Sequence, residues 1–324
     1  MPLNSGRYLA RRALQGALLV LGVLVFSFAL IHLAPGDPII VLAGDGGNAA
    51  YYAEMRARYG LDRPLPERLL RYVLAVASGD SGYSFSYRQP VFQVILSRAP
   101  ATLLLMGSAL LFAVVVGVSL GVLSALRPRT ALDYGISVFT LVAAAMPVFW
   151  VGQVLIIIFA GRLGLFPVQG MISLRARHTG VRAALDALHH LALPALTLGL
   201  PQLALLTRLT RTSLREQLDE DYVRTARAKG LQERVIILSH ALRNALLPII
   251  TVIGGQVGVL ITGAALTETI FAWPGLGRLL LDAALSRDYP LLMALFITAA
   301  ISVVVANLLT DVIYTLLDPR VRYD

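Results

Sequence analysis

The chain contains no cysteine and a single lysine, and it is short of acid: 19 Asp and Glu stand against 28 Lys and Arg in 324 residues. Without cysteine there is no disulfide and no thiolate metal site, and nothing marks the redox compartment. The one lysine, Lys229, follows Ala228. A phosphate-binding loop needs Gly-Lys followed by Ser or Thr. The chain therefore has none, and any energy it uses must come from a partner or an ion gradient. The five histidines are His32, His178, His189, His190 and His240, and none forms the i, i+4 pair beside a glutamate of a helical zinc site. They read as interfacial side chains. No Gly-x-Ser-x-Gly nucleophile elbow is expected either, so the chain reads as non-enzymatic by itself, with no metal and no cofactor of its own.

Charge is scarce as well. Only 15% of residues are charged and 57% are hydrophobic, against roughly 25% charged in an average soluble protein. A water-soluble fold of this size could not hide that much apolar surface, so the excess needs lipid as its solvent. The formal charge of +9 does not point to nucleic acid, because the arginines flank apolar runs and form no continuous basic stripe.

The chain holds six uncharged runs: Ala13–Gly36, Ala99–Leu126, Tyr134–Gly161, Ala187–Thr207, Asn244–Thr267 and Tyr289–Thr310. The shortest has 21 residues, and about 20 suffice to cross the hydrocarbon core as a helix. In lipid every backbone group must be satisfied within its own segment, and the alternating short segments of a closed barrel are absent. The expectation is an all-α membrane bundle of about six transmembrane helices: 13–33, 99–126, 134–161, 187–207, 244–267 and 289–317. The fourth contains Pro194 and Pro201 and reads as a kinked span. The first is longer than a signal-peptide core and reads as a retained span.

Arg7, Arg11 and Arg12 precede the first run, which places both termini, 1–12 and 318–324, in the cytoplasm. Fifteen basic residues then face inward and thirteen outward, seven of the latter in the 34–98 segment. That segment exceeds the length over which the rule applies, and without it the count is fifteen against six. The outer segments are 34–98, 162–186 and 268–288. In the first, short helices are expected over Ala49–Tyr59 and near Pro66–Ala77.

The inner segment 208–243 is the most informative. Asp219-Glu220-Asp221 supplies acid at the start of a short stretch, Arg227 and Lys229 supply base at its end, and Gly230 lies just beyond. These are the marks of a capped helix with its dipole complemented. Leu218, Tyr222 and Ala226 recur at i, i+4 and i+8, giving one small apolar face. A helix of two turns buries little alone, so it either docks into something or lies solvated at the lipid surface.

The stretch Asp221-Tyr222-Val223-Arg224-Thr225-Ala226-Arg227-Ala228-Lys229-Gly230, followed by His240-Ala241-Leu242-Arg243-Asn244-Ala245-Leu246-Leu247-Pro248, resembles the coupling loop of ABC importer permeases. It is most similar to the dipeptide, oligopeptide and nickel permease family, and to the first of its two permease subunits. Leu33-Ala34-Pro35-Gly36-Asp37-Pro38, Glu268-Thr269-Ile270-Phe271-Ala272-Trp273-Pro274-Gly275-Leu276-Gly277 and Leu317-Asp318-Pro319-Arg320 agree with it. Where the broader importer pattern has Glu-Ala-Ala, this chain has Arg224-Thr225-Ala226, so nothing can rest on a glutamate there. The resemblance implies a type I importer permease bundle in a bacterial or archaeal plasma membrane. The implied partners are a second homologous permease, two ATP-binding subunits carrying ATP and Mg2+, an extracytoplasmic substrate-binding protein and the lipid bilayer. It also implies that Asp221, Tyr222, Arg224, Thr225, Ala226, Lys229 and Gly230 couple the chain to an ATP-binding subunit. In that reading Tyr222, Thr225 and Ala226 pack in the partner's cleft, and a bulky residue at Ala226 uncouples transport without unfolding the bundle.

Two further sets of residues carry weaker signals. Gly117-x-x-x-Gly121 and Gly254-x-x-x-Gly258 offer small surfaces for helix packing, within the chain or, less favoured, at a subunit seam. Asp311 is the one charge inside a span; structural pairing or an interface position is favoured over an ion site. An ion-driven secondary carrier would need more such charges and internal repeats with broken helices. A channel-like or structural subunit is the third class. Nothing in the chain names a substrate.

Overall fold

A computed structural model describes residues 5–33, 50, 53, 62–173 and 179–317. Its elements are α1 (Ser5–Leu33), α2 (Leu65–Ala77), the strands β1 (Tyr83–Ser84) and β2 (Gln89–Pro90), α3 (Val91–Leu126), α4 (Ala131–Ala145), α5 (Val148–Leu155), α6 (Val181–Leu218), α7 (Asp221–Ala228), α8 (Glu233–Val235), α9 (Leu242–Ile270), α10 (Leu276–Leu285) and α11 (Tyr289–Leu317). Wide π-helical turns over Ile156–Arg162 and Ile236–Ala241 continue α5 and α8. The helix expected near Pro66–Ala77 is α2. The one expected over Ala49–Tyr59 lies outside the described residues save for 50 and 53.

Among the described residues four helical stretches are long and apolar enough to cross a membrane: Val91–Leu126, Val181–Leu218, Glu233–Ile253 and Tyr289–Leu308. The run 134–161, expected as one span, is instead two helices meeting at 107°, and the pair makes a fifth if counted as one. Proline causes the break. Met146 is extended at φ −80° and ψ 134°, the conformation that a following proline imposes, and Pro147 then opens α5 without an N–H to offer α4. Pro194 and Pro201 lie inside α6, which runs on through both. In α1 the apolar stretch among described residues is Leu14–Ala29, shorter than the run Ala13–Gly36.

The described residues divide into two compact units, one drawn from 5–100 and 275–305, the other from 101–274 and 306–317. In the first, Val91, Val94 and Ile95 pack with Leu279, Ala283, Leu291 and Leu295. Phe28 of α1 packs with Met293, against Leu69 and Tyr72 of α2. Gly16 sits so close to α11 that an added Cβ would lie 2.6 Å from Val304 Cγ1. The β1–β2 hairpin is pinned by Asp288, which is fully buried. Its carboxylate accepts from Ser84 Oγ at 2.6 Å, from the Ser86 N–H at 2.9 Å and from the Leu291 N–H at 3.3 Å.

The second unit is built around α6, against which α4, α5 and α9 pack. Glycines bring α3 against α6 as well. A Cβ on Gly199 would lie 2.8 Å from Ala109 O, one on Gly117 would lie 3.0 Å from Leu203 O, and one on Gly121 would lie 2.5 Å from Thr210 Cβ. Gly117 and Gly121 thus face a helix of their own chain. The surroundings of the side chains at Gly254, Gly258 and Asp311 fall outside the described residues. At one end of this unit Trp273, fully buried, donates from Nε1 to Ala101 O at 2.8 Å, and Thr102 donates to the buried Glu268 at 2.6 Å.

Candidate functional site

The opposite end of the second unit carries α7. The long α6 closes at Asp219, and the chain re-enters a helix at Asp221 with Glu220 extended at φ −70° and ψ 151°. Asp221 stands in the first turn and Arg227 in the last, each of the sign that the helix dipole favours. The exit is a Schellman turn: the Leu231 N–H reaches Ala226 O at 3.3 Å and the Gly230 N–H reaches Arg227 O at 2.9 Å. Gly230 adopts φ +76°, which a residue with a Cβ reaches only under strain. Arg227 then ties the exit down, its Nε and Nη2 donating to Glu233 at 3.2 and 2.7 Å.

One face of α7 is spoken for. Val223 and Ala226 are buried against Ala125 of α3, Leu214 of α6, Ile236 and Ala241 of the π turn and Ala245 of α9, with Leu218 and Val122 alongside. This corrects the role expected of Ala226. It points into its own chain, not outward to a partner, because the helix turns its i, i+3 pair Val223 and Ala226 inward and not the i, i+4 pair Tyr222 and Ala226. A bulky residue at 226 would therefore disturb the seat of the helix itself. The outward face consists of Asp221, Tyr222, Arg224, Thr225 and Lys229, all exposed. Tyr222 donates its hydroxyl to Gln217 Oε1 at 2.7 Å, Arg224 reaches Asp221 at 3.1 Å, and Thr225 donates to Asp221 O at 2.9 Å. These contacts are local, so the face keeps its shape while staying open.

The seat is braced by an ion pair that pattern reading missed. Asp133, at 2% exposure, receives Nε and Nη2 of Arg211 on separate carboxylate oxygens at 2.7 and 2.8 Å. Ser124 Oγ and the Arg129 N–H complete its shell. This node joins the ends of α3, α4 and α6 directly beneath the apolar seat of α7. Its partners lie 78 residues apart in sequence, beyond any local periodicity. The available signal was that Asp133 is the only acid between Asp80 and Asp186.

The letters Gly-x-Ser-x-Gly do occur, at Gly117–Gly121, but inside the uninterrupted α3, with Ser119 Oγ donating to Val115 O at 2.7 Å. A nucleophile elbow needs a sharp strand-to-helix turn, so this exposed serine only bonds back within its own helix. His189 and His190 are structural: Nε2 of His189 meets Leu165 O at 2.7 Å, and Nδ1 of His190 meets Asp186 O at 2.8 Å. Among the described residues no group of three or more acids and histidines is placed to hold a metal.

Comparison with known proteins gives this geometry a context. Residues 117–323 match the family described as binding-protein-dependent transport system inner membrane component, and residues 6–106 match its N-terminal companion. The chain is 39% identical over 317 residues to the oligopeptide transport system permease protein AppB of Bacillus subtilis (strain 168), covering 98% of this chain and 99% of that one. It is 40% identical to the dipeptide transport system permease protein DppB of Escherichia coli (strain K12), covering 94% and 95%. It is 43% identical to the di/tripeptide transport system permease protein DppB of Pseudomonas aeruginosa (strain UCBPP-PA14), covering 93% and 94%. Among solved structures, a chain of the MetNI methionine ABC transporter in an inward-facing conformation matches with a TM-score of 0.57 at 17% identity, covering 71% of this chain and 98% of that one. That last likeness is one of fold.

Proposed function

This chain belongs to the family of binding-protein-dependent transport system inner membrane components, and from that premise we propose that it is one of two permease subunits of an ATP-driven importer of short peptides. Its fold is that of an ABC importer permease, and it is a multi-pass membrane protein. Peptide cargo is supported by the names of relatives near 40% identity over nearly the whole chain.

The observation that carries the mechanism is α7: a short helix fixed by its inner face to α3, α6 and α9, with its outer face of Asp221, Tyr222, Thr225 and Lys229 uncovered. A helix held this way moves only with the ends of the helices beneath it. In our reading an ATP-binding subunit grips the outer face, and closure of two such subunits around ATP and Mg2+ draws the paired permeases together. The apolar seat and the Asp133–Arg211 brace carry that displacement to the spans, which alternate between outward-facing and inward-facing states. Both termini and α7 lie on the cytoplasmic side. An external binding protein delivers peptide to the far side.

Reconstitution of the chain with the second permease, both ATP-binding subunits and the external binding protein tests this reading. Uptake of a labelled dipeptide should require ATP and every subunit. Uptake by the chain alone under an ion gradient, with no ATP present, would overturn it.

A further inference from the structure

Asp133 neutralises Arg211 and is then saturated, yet more arginine surrounds it. Arg127 and Arg129 sit on the turn between α3 and α4, and Arg208 lies one helical turn before Arg211 on α6. All three are exposed. Among the described residues none of the three is in ion-pair contact with a carboxylate. The Arg129 N–H binds the same carboxylate that holds Arg211. A Cβ on Gly121 would lie 2.7 Å from Thr207 O and 2.5 Å from Thr210 Cβ, which sets Arg208 level with the last turns of α3. The turn itself is built: Arg129 has φ +61°, a left-handed backbone uncommon for a residue with a side chain. Three anchors hold it there, Asp133 on its N–H, Thr130 Oγ1 on Arg127 O at 2.7 Å, and Thr130 as the cap of α4.

The level of these charges says what they face. Arg127 is the first charge after the uncharged run ending at Leu126, and Arg208 the first after the run ending at Thr207. Leu123, Leu126, Leu132 and Tyr134, beside the turn, are exposed apolar or aromatic side chains, the pattern of a membrane–water boundary. From this level α6 runs on to Leu218, and α7 folds back to pack on Ala125 and Val122 of α3. A lipid headgroup at that boundary meets the arginines, and a partner gripping α7 is the competing occupant that the test separates.

We propose that Arg127, Arg129 and Arg208 form a seat for the phosphate of an anionic phospholipid, held in place by the Asp133 node. Guanidinium groups take phosphate oxygens in pairs. The bound lipid supplies the counter-charge that Asp133, committed to Arg211, does not. The seat shares the cytoplasmic orientation of the proposed importer but not its cargo or its coupling.

The test uses the assembled complex in vesicles of phosphatidylcholine with an equal amount of phosphatidylglycerol, extracted in mild detergent, with retained lipid counted by mass spectrometry. Phosphatidylglycerol should be enriched on the wild-type complex and fall about five-fold for each arginine replaced in R129Q, R127Q/R129Q and R127Q/R129Q/R208Q. The lysine triple R127K/R129K/R208K should keep much of the enrichment, as should R162Q, which removes one charge at the far end of α5. Unchanged enrichment in the glutamine triple would overturn the seat, as would an equal loss in R162Q. If inorganic phosphate displaces the lipid completely, the site is one for free phosphate and the lipid assignment fails. If the triple loses its ATP-binding subunits while keeping its lipid, the arginines face those subunits, and the proposal fails in that direction. Dipeptide uptake measured in parallel reports separately on the importer reading.

Discussion

Each of the two units of this protein has a buried aspartate at its heart, and the two are compensated in opposite ways. Asp133, in the second unit, meets a formal cation: Arg211 fills both its oxygens. Asp288, in the first, is equally buried but is met by a hydroxyl and two backbone N–H groups, with no cation in ion-pair contact among the described residues. Burying a carboxylate is costly unless it is paired or hydrogen-bonded. The first solution fixes three long helices to one another at the end that bears α7, and the second fixes a two-stranded hairpin to the start of α11. Dipolar donors are enough to position a small surface element. A pair of opposite charges ties helix ends to one another, and losing Arg211, whose side chain is 30% exposed, strands the buried Asp133 without a counter-charge.

Breaking each node should show that difference. Arg211→Ala strands Asp133 without its cation and should cost about 3–5 kcal/mol in thermal or denaturant unfolding of the detergent-solubilised chain. Asp288→Asn keeps an acceptor for the hairpin and weakens three charge-assisted bonds, so a loss of about 1.5–3 kcal/mol is expected by the same measurement. If Asp288→Asn proves the more damaging, the contrast between cationic and dipolar compensation is wrong.

The two faces of α7 sharpen the comparison on a smaller scale. Ala226→Leu forces extra methylenes into the cluster with Val223, Leu214 and Ile236 and should cost about 1–3 kcal/mol of stability. Gly230→Ala strains the left-handed turn by about 1 kcal/mol, visible as a lowered unfolding midpoint. Thr225→Leu, on the open face, should change stability by no more than about 0.5 kcal/mol, measured on the same scale.

Much of this architecture was legible in the sequence. The absence of charge from long runs marks the helices, since a charge in lipid is expensive, and acid, base and glycine placed around Asp221–Gly230 mark α7 because helix ends leave polar groups to be capped. What could not be read depends on partners far away in the chain. The Asp133–Arg211 and Asp288–Ser84 pairs link positions that only the folded helices bring together. The direction of Ala226 depends on which face of α7 meets α3 and α9, and an eight-residue helix with both Tyr222 and Val223 as apolar candidates does not decide that alone. The break at Pro147 was overlooked for a different reason. An uncharged run reads the same whether it is straight or bent, while Pro194 and Pro201 leave α6 unbroken and Pro147 does not.

The central claim is that the outward face of α7 is gripped by an ATP-hydrolysing subunit while its inward face is merely seated. The direct measurement is peptide-stimulated ATP hydrolysis by the assembled complex carrying Thr225→Trp, alongside its unfolding midpoint. The account predicts an unchanged midpoint and retained membrane insertion with stimulation abolished. Full stimulation by the tryptophan variant, in a complex of normal composition, would contradict it.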